Sequence, residues 1–149
     1  MLNIRKNLFE TNSSSVHALV IPKNQTIHVP KTVYLRYEEY GWEFSTYGDT
    51  INYLYTACVD AGQEFVNKLI EYLKRKGVKQ IEEMGGQDVN FGIDHSYEVP
   101  LDELFENESL LDRFLFGTES YIQTGNDNDE ECPDENDYDE SIDVLMKYN

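Results

Sequence analysis

QEFVNKLIEYLKRKG, residues 63–77, is the stretch that decides the fold. Its apolar side chains recur every three or four positions, which is the spacing of one face of an α-helix. Those side chains are Phe65, Val66, Leu69, Ile70 and Leu73. Three bases and then a glycine, Lys74 to Gly77, form a helix stop, because cations favour the C-terminal end of a helix and glycine terminates it. The stretch therefore predicts a helix over residues 63–76 whose apolar face lies in the core.

The segment before this helix carries a second helical pattern. Residues 50–61 place apolar side chains at i, i+3, i+4 and i+7, a stripe made of Ile51, Leu54, Tyr55 and Cys58. Gly62 separates the two patterns. We therefore predict two consecutive central helices.

A third helical region follows Pro100. Leucine and phenylalanine repeat at helical spacing through residues 101–116. Asn107 interrupts the pattern and is a residue type that caps helices, and Gly117 follows the last apolar position. The pattern predicts a helical hairpin, with Asn107 capping its second helix.

The remaining apolar segments are short and alternate with polar residues, as half-buried strands do. They predict strands at 16–22, 26–30, 32–40, 78–84 and 120–124. The first three are expected to form an N-terminal antiparallel sheet, and residues 89–99 are expected to be extended. Near the C-terminus, Ile142, Leu145 and Met146 follow helical spacing and predict a short terminal helix over 141–148.

These elements predict an α+β fold, a small antiparallel sheet packed with two to four helices. We expect one domain over residues 1–126, followed by an acidic segment, 127–149, that ends in the short helix. A chain of 149 residues with 40% apolar content can bury one core.

Charge is the strongest feature of the composition. The chain has 12 lysines and arginines against 29 aspartates and glutamates, a net charge of −17. Residues 101–149 hold 16 of the acids and 2 of the bases. Direct binding to nucleic acid is disfavoured because phosphates require clustered bases, and anionic membranes are disfavoured for the same reason. A basic protein surface is the favoured partner, including one that normally binds nucleic acid.

Cysteine usage leads us to expect a reducing cytoplasm as the location of the chain. Cys58 and Cys132 fit neither a metal motif nor a disulfide framework. We expect no membrane span, because no apolar run reaches 18 residues. We also expect no secretory signal, because Arg5 and Lys6 precede no apolar stretch.

The opening stretch FETNSSSVHALV, residues 9–20, combines groups that can perform acid–base chemistry. Its candidate catalytic residues are Glu10, Ser13, Ser14, Ser15 and His17, with the histidine as the base. A serine nucleophile also needs an orienting group and oxyanion donors, which the sequence does not identify. The alternative interpretation is a polar turn leading into the first strand, because asparagine and serine side chains bond to nearby backbone.

FGTESYIQTGNDN, residues 116–128, is a second polar cluster. It lacks the spacing of a phosphate-binding loop, and its acids would repel phosphate. A calcium loop starting at Asp127 would need glycine where Cys132 stands and glutamate where Tyr138 stands. The histidines His17, His28 and His95 have no metal spacing. We expect no cofactor and no metal.

Two segments resemble a known group of proteins. RKNLFETNSSSVHALVI, residues 5–21, resembles the opening of a set of small proteins from phages and Gram-positive bacteria, and FLFGTESYIQTGNDND, residues 114–129, resembles a segment those proteins also carry. The resemblance implies a mobile-element setting and assigns no catalytic roles. It raises the hypothesis that the two segments meet in one pocket.

The acidic run between Asp127 and Asp143 contains ten acids and no base. Such a run is either a solvated loop or an interaction surface. As a surface, its partner-binding residues are Asp127, Asp129, Glu130, Glu131, Asp134, Glu135, Asp137, Asp139 and Glu140.

Two function classes follow from these observations. The first is a non-enzymatic binding protein whose acidic surface occupies the basic groove of a nucleic-acid-binding host protein. In a phage setting this would be a host-defence inhibitor, such as an anti-CRISPR, that imitates DNA phosphates. The second is a small enzyme or ligand-binding domain that uses the 10–17 cluster with the 117–128 loop. The charge asymmetry favours the first.

Overall fold

A computed structural model describes residues 15–41, 44–84, 92–93, 99–126 and 134–148. The fold is α+β, as predicted. The described part of the chain contains a four-stranded antiparallel sheet, a separate parallel pair of strands and four α-helices. The strands are β1 (Ser15–Pro22), β2 (Thr32–Leu35), β3 (Ser45–Tyr47), β4 (Gln80–Glu83), β5 (Tyr121–Asn126) and β6 (Ile142–Tyr148). The helices are α1 (Thr50–Ala61), α2 (Gln63–Arg75), α3 (Leu101–Glu106) and α4 (Glu108–Phe116).

The predicted central helices are confirmed. α2 buries Val66, Leu69 and Leu73, while Phe65 and Ile70 are partly buried against the same core. Gly62 separates α1 from α2 with a φ of 127°, a conformation that side chains other than glycine rarely adopt. The two helices therefore follow each other directly and pack together.

The helical hairpin after Pro100 is also confirmed. The side chain of Asn107 accepts a hydrogen bond from the backbone N–H of Leu110 at 3.2 Å, which caps α4 as predicted. α4 is almost entirely apolar on its inner face and packs on β1 and α1.

The four-stranded sheet has the order β3-β5-β1-β6, so its central strand β1 pairs with strands from the C-terminal half of the chain. Both faces of β1 are buried. Leu19 and Ile21 lie in the main core with the helices, whereas Val16, Ala18 and Val20 form an outer cluster on the opposite face with Val144. Because both faces of β1 are buried, its sequence is a nearly continuous apolar run.

The predicted N-terminal sheet is wrong in its pairing. β2 pairs with β4 in parallel instead of joining β1, and it ends at Leu35 rather than at residue 40. In place of a strand at 26–30, the described chain has an isolated bridge between Ile27 and Gly117. The strand predicted at 78–84 is present as β4. Most of 89–99 lies outside the described residues.

The predicted C-terminal helix over 141–148 is wrong, because Ile142–Tyr148 forms strand β6. β6 pairs with β1 along seven positions, from Pro22 opposite Ile142 to Val16 opposite Tyr148. A helix this short is marginal on its own, whereas β1 offers a ladder of backbone hydrogen bonds. The segment also meets apolar surroundings on both faces, since Val144 joins the outer cluster and Leu145 joins the main core.

Candidate functional site

The predicted acidic surface falls on the connection between β5 and β6. Both strands are antiparallel to β1 and lie on either side of it, so they run parallel to each other. Two parallel strands begin at the same end of the sheet, so the connection between them must be a crossover. Its described part, residues 134–141, is called the acidic crossover below. Tyr138 packs on the outer cluster, so the crossover lies on the sheet face opposite the helices.

Local hydrogen bonds shape the first half of the acidic crossover. Residues 135–137 form one turn of 3-10 helix. The Asp134 carboxylate accepts from the backbone N–H of Asn136 at 3.0 Å, and the Asp137 carboxylate accepts from the backbone N–H of Asp134 at 2.9 Å. This reciprocal capping satisfies backbone donors at the start of the turn and fixes its geometry.

Tyr138 fixes the middle of the crossover. Its hydroxyl donates to the Gln123 side chain on β5 at 2.6 Å while its ring covers the outer apolar cluster. One residue therefore contributes both burial and a hydrogen bond. The carboxylates on either side of it stay in solvent.

The second half of the crossover is tied to the end of β1. The backbone N–H of Lys23 donates to the carbonyl of Ser141 at 2.9 Å, and Lys23 Nζ donates to the carbonyl of Glu140 at 2.5 Å. The Ser141 hydroxyl and N–H both donate to the Asp139 carboxylate and lower its pKa. Asp139 is therefore ionised at neutral pH.

The described carboxylates of the run fall into two environments. Asp134, Asp137, Asp139 and Glu140 are exposed on the crossover. Asp143, the last acid of the run, lies on β6 and is buried beside Arg113, with Nη1 and Oδ2 2.8 Å apart. Four predicted contact residues, Asp127, Asp129, Glu130 and Glu131, lie outside the described residues, as does the side chain of Glu135.

The two polar segments singled out in the sequence meet in the sheet. Ser15 pairs with Asn126 and His17 pairs with Thr124 across β1 and β5. The candidate residues Glu10, Ser13 and Ser14 lie outside the described residues. The two segments therefore pair with each other at one end of the sheet, and the shared pocket stays a hypothesis.

His17 is buried on the helix-facing side of this sheet end. Its Nδ1 lies 3.3 Å from the hydroxyl of Tyr53, a residue on α1 that the sequence did not single out. Tyr40 packs edge-on against Tyr53 and Tyr47, with centroid distances of 5.0 and 5.1 Å. Burial raises the pKa of Tyr40 and of Tyr53, so both hydroxyls stay protonated at neutral pH.

The first half of the second polar cluster has a structural role. Ser120 donates to the carbonyl of Arg113 at 2.6 Å and accepts from the Gln25 side chain at 2.7 Å. A Cβ added at Gly117 would lie 2.2 Å from the same carbonyl, so this position requires glycine. These contacts hold the turn after β1 against the end of α4.

The remaining candidate metal ligands and one of the two cysteines can be placed in the described part of the chain. No group of three or more potential metal ligands occurs in that part of the chain. His28 is exposed, and His95 is outside the described residues. Burial raises the pKa of the Cys58 thiol to about 12, which keeps it protonated.

No helix of the described chain has the length and apolar character needed to cross a membrane.

Comparisons of the chain with models of known families, with curated proteins and with solved structures found no match. The geometry of the described residues is therefore the basis for a functional proposal.

Proposed function

We propose that this protein is a non-enzymatic binding protein that presents the acidic crossover to a basic surface of a nucleic-acid-binding protein. The observation that carries the proposal is that the crossover backbone is held at Asp134, Tyr138 and Ser141 while the carboxylates of its described side chains are exposed. A row of anions on a fixed backbone can imitate phosphates. Its charges already lie at constant positions, so binding a basic partner does not carry the entropic cost of ordering the segment.

The charge distribution supports the same proposal. Four exposed carboxylates of the crossover face the single ammonium of Lys23, which bonds to the Glu140 carbonyl, so the net charge of this surface stays negative. Several negative charges on one surface attract a basic partner before contact and accelerate its association. The resemblance to phage and Gram-positive proteins suggests a host-defence inhibitor, such as an anti-CRISPR, acting in the host cytoplasm.

A variant that removes charge without removing a described capping bond tests the proposal. This variant, called the crossover variant, carries Glu135→Gln and Glu140→Gln on the acidic crossover together with Glu130→Gln and Glu131→Gln in the acidic run that precedes it. The control variant carries the same change in net charge at exposed acids elsewhere, namely Glu39→Gln, Glu64→Gln, Glu82→Gln and Glu119→Gln.

The experiment is a pull-down from a Gram-positive bacterial lysate at low and high salt, with duplex DNA as competitor. We expect the wild type and the control variant to capture nucleic-acid-binding proteins at low salt, and expect DNA to displace them. The crossover variant should lose this capture. Equal capture by the crossover variant would contradict the proposal.

A second candidate function is small-molecule binding or catalysis at the sheet end around His17. The observation in its favour is the Tyr40 hydroxyl, which is buried without a hydrogen-bond partner among the described residues. Such a group lacks the bond that buried hydroxyls usually make, and a ligand would supply it. In a thermal-shift screen of metabolites, a stabilising compound whose effect disappears in Tyr40→Phe would support this candidate; a screen without such a compound would leave binding through the crossover.

A further inference from the structure

A groove on the helical side of the molecule has a composition unlike that of the acidic crossover. It lies between α2 and the α3–α4 hairpin and has a volume of about 260 Å3. It is lined by Lys68, Glu71, Tyr72, Arg75, Asp102, Phe105, Glu106, Glu108 and Leu111. Because the crossover lies on the opposite face of the sheet, the groove is a separate surface.

The groove combines an apolar floor with a charged rim. Tyr72 and Leu111 are buried and Phe105 is partly buried, whereas the six charged lining residues are exposed. The rim holds four carboxylates against two cations. The groove thus presents apolar and aromatic surface beneath an excess of negative charge.

Both rim cations already face carboxylates. Arg75 lies 2.6 Å from Glu108, and Lys68 lies 3.9 Å from Glu64 outside the groove. Among the described residues, the carboxylates of Glu71, Asp102 and Glu106 form no salt bridge. The charge that remains available to a ligand is therefore negative.

The aromatic rings next to the groove already interact with cations of this chain. Lys68 Nζ lies 5.1 Å from the ring centroid of Phe65, and the Arg75 guanidinium lies 5.6 Å from that of Tyr72. A cation over an aromatic face is attracted by the negative face of the ring. Phe105 has no cation contact of this kind among the described residues.

We infer that this groove binds an arginine side chain presented by a basic protein segment. The guanidinium is planar, stacks on aromatic rings and forms paired hydrogen bonds with carboxylates, while its aliphatic stem covers apolar surface. The carboxylates of Asp102 and Glu106 on the rim would accept the hydrogen bonds. Phe105 on the floor would supply both the aromatic ring and the apolar surface. An anionic ligand is disfavoured by the four rim carboxylates, and a second copy of this chain is disfavoured by its net charge of −17.

Titration of the whole protein with the peptide acetyl-Gly-Arg-Gly-amide, followed by amide NMR shifts, tests the inference. We expect saturable shifts in α2 and α3. The same peptide with citrulline, which keeps the shape and loses the charge, should bind about two- to fivefold more weakly, the range that corresponds to one exposed charge interaction.

Variants locate the binding site. Asp102→Asn and Glu106→Gln should each weaken arginine-peptide binding by up to about fivefold, whereas the charge-matched control Glu119→Gln should not. Equal binding of the citrulline peptide, or unchanged binding in Asp102→Asn combined with Glu106→Gln, would overturn the inference. The crossover variant should retain peptide binding, so that failure of the proposed function and failure of the groove remain distinguishable.

Discussion

Arg113 on α4 and Asp143 on β6 form an ion pair across the core, with Nη1 and Oδ2 2.8 Å apart and side-chain exposures of 20% and 10%. The pair joins the helical hairpin to the strand that follows the acidic crossover. Asp143 therefore stabilises the fold, and the exposed acids before it are the ones available to a partner.

Breaking this ion pair should destabilise the protein. Asp143→Ala leaves the Arg113 guanidinium largely buried without its carboxylate, and we expect a loss on the order of 3 kcal/mol in the free energy of unfolding. Glu140→Gln, which removes an exposed charge from the same run, should change that free energy by less than about 0.5 kcal/mol. Urea unfolding of both variants measures the difference; equal stability would show that the pair contributes nothing.

The predicted core helix provides a second test. Leu69 is fully buried on α2, so Leu69→Ala should cost about 2–5 kcal/mol through lost burial and a residual cavity. Asn67→Ala on the exposed face of the same helix is the matched control and should have little effect. A small cost at Leu69 would mean that this part of the core is loosely packed.

Gly117 tests the contact between α4 and the turn after β1. In Gly117→Ala the new methyl group would lie 2.2 Å from the Arg113 carbonyl, and displacing that backbone should cost about 1–3 kcal/mol. Gly48→Ala has no heavy atom within 4 Å of the added carbon and serves as the control. Thermal unfolding should separate the two variants clearly; coincident midpoints would mean that the turn adjusts without cost.

Alkaline pH should destabilise the fold through Cys58. Burial raises the pKa of its thiol from an ordinary value of 9.0 to about 12. Because the folded-state pKa is the higher one, the stabilising contribution is complete below pH 9 and is lost as the pH rises toward 12. The free energy of unfolding of Cys58→Ala should fall less over this range than that of the wild type. Parallel pH profiles would exclude the thiol as a cause.

The sequence predicts the helices well because their signals are local. The stripe on α2, Gly62 and the cap at Asn107 all act within one or two turns of their own helix. Strand partners are set by distant residues, so the pairing of β1 with β5 and β6 has no local signal. The segment 142–148 has helical spacing but becomes a strand because β1 offers it backbone partners and two apolar surfaces.

The same difference between local and distant signals applies to the candidate site. The acidic run and the polar segments at β1 and β5 can be recognised from composition. The contacts that organise them cannot, since Tyr53 meets His17 across 36 positions and Gln25 meets Ser120 across 95. Only folding brings Tyr138 onto the outer cluster, where it holds the acidic crossover.

A variant at Tyr138 distinguishes the contribution of charge to partner binding from the contribution of an ordered crossover backbone. Tyr138→Ala keeps every carboxylate but removes the ring from the outer cluster and the hydrogen bond to Gln123. We expect weaker binding to the captured partner, because the released segment must be ordered during binding. Tyr34→Ala, at an exposed tyrosine on β2, is the control. Unchanged affinity in Tyr138→Ala would mean that charge alone is sufficient.

The salt dependence of partner affinity tests the central claim most directly. Measured for the captured partner from low to high salt, the affinity of the wild type and of the control variant should fall steeply, because salt screens exposed charges. The crossover variant should bind at least about tenfold more weakly at low salt and show a shallower salt dependence. If the crossover variant matches the control variant in both affinity and salt dependence, the acidic crossover is not the binding surface.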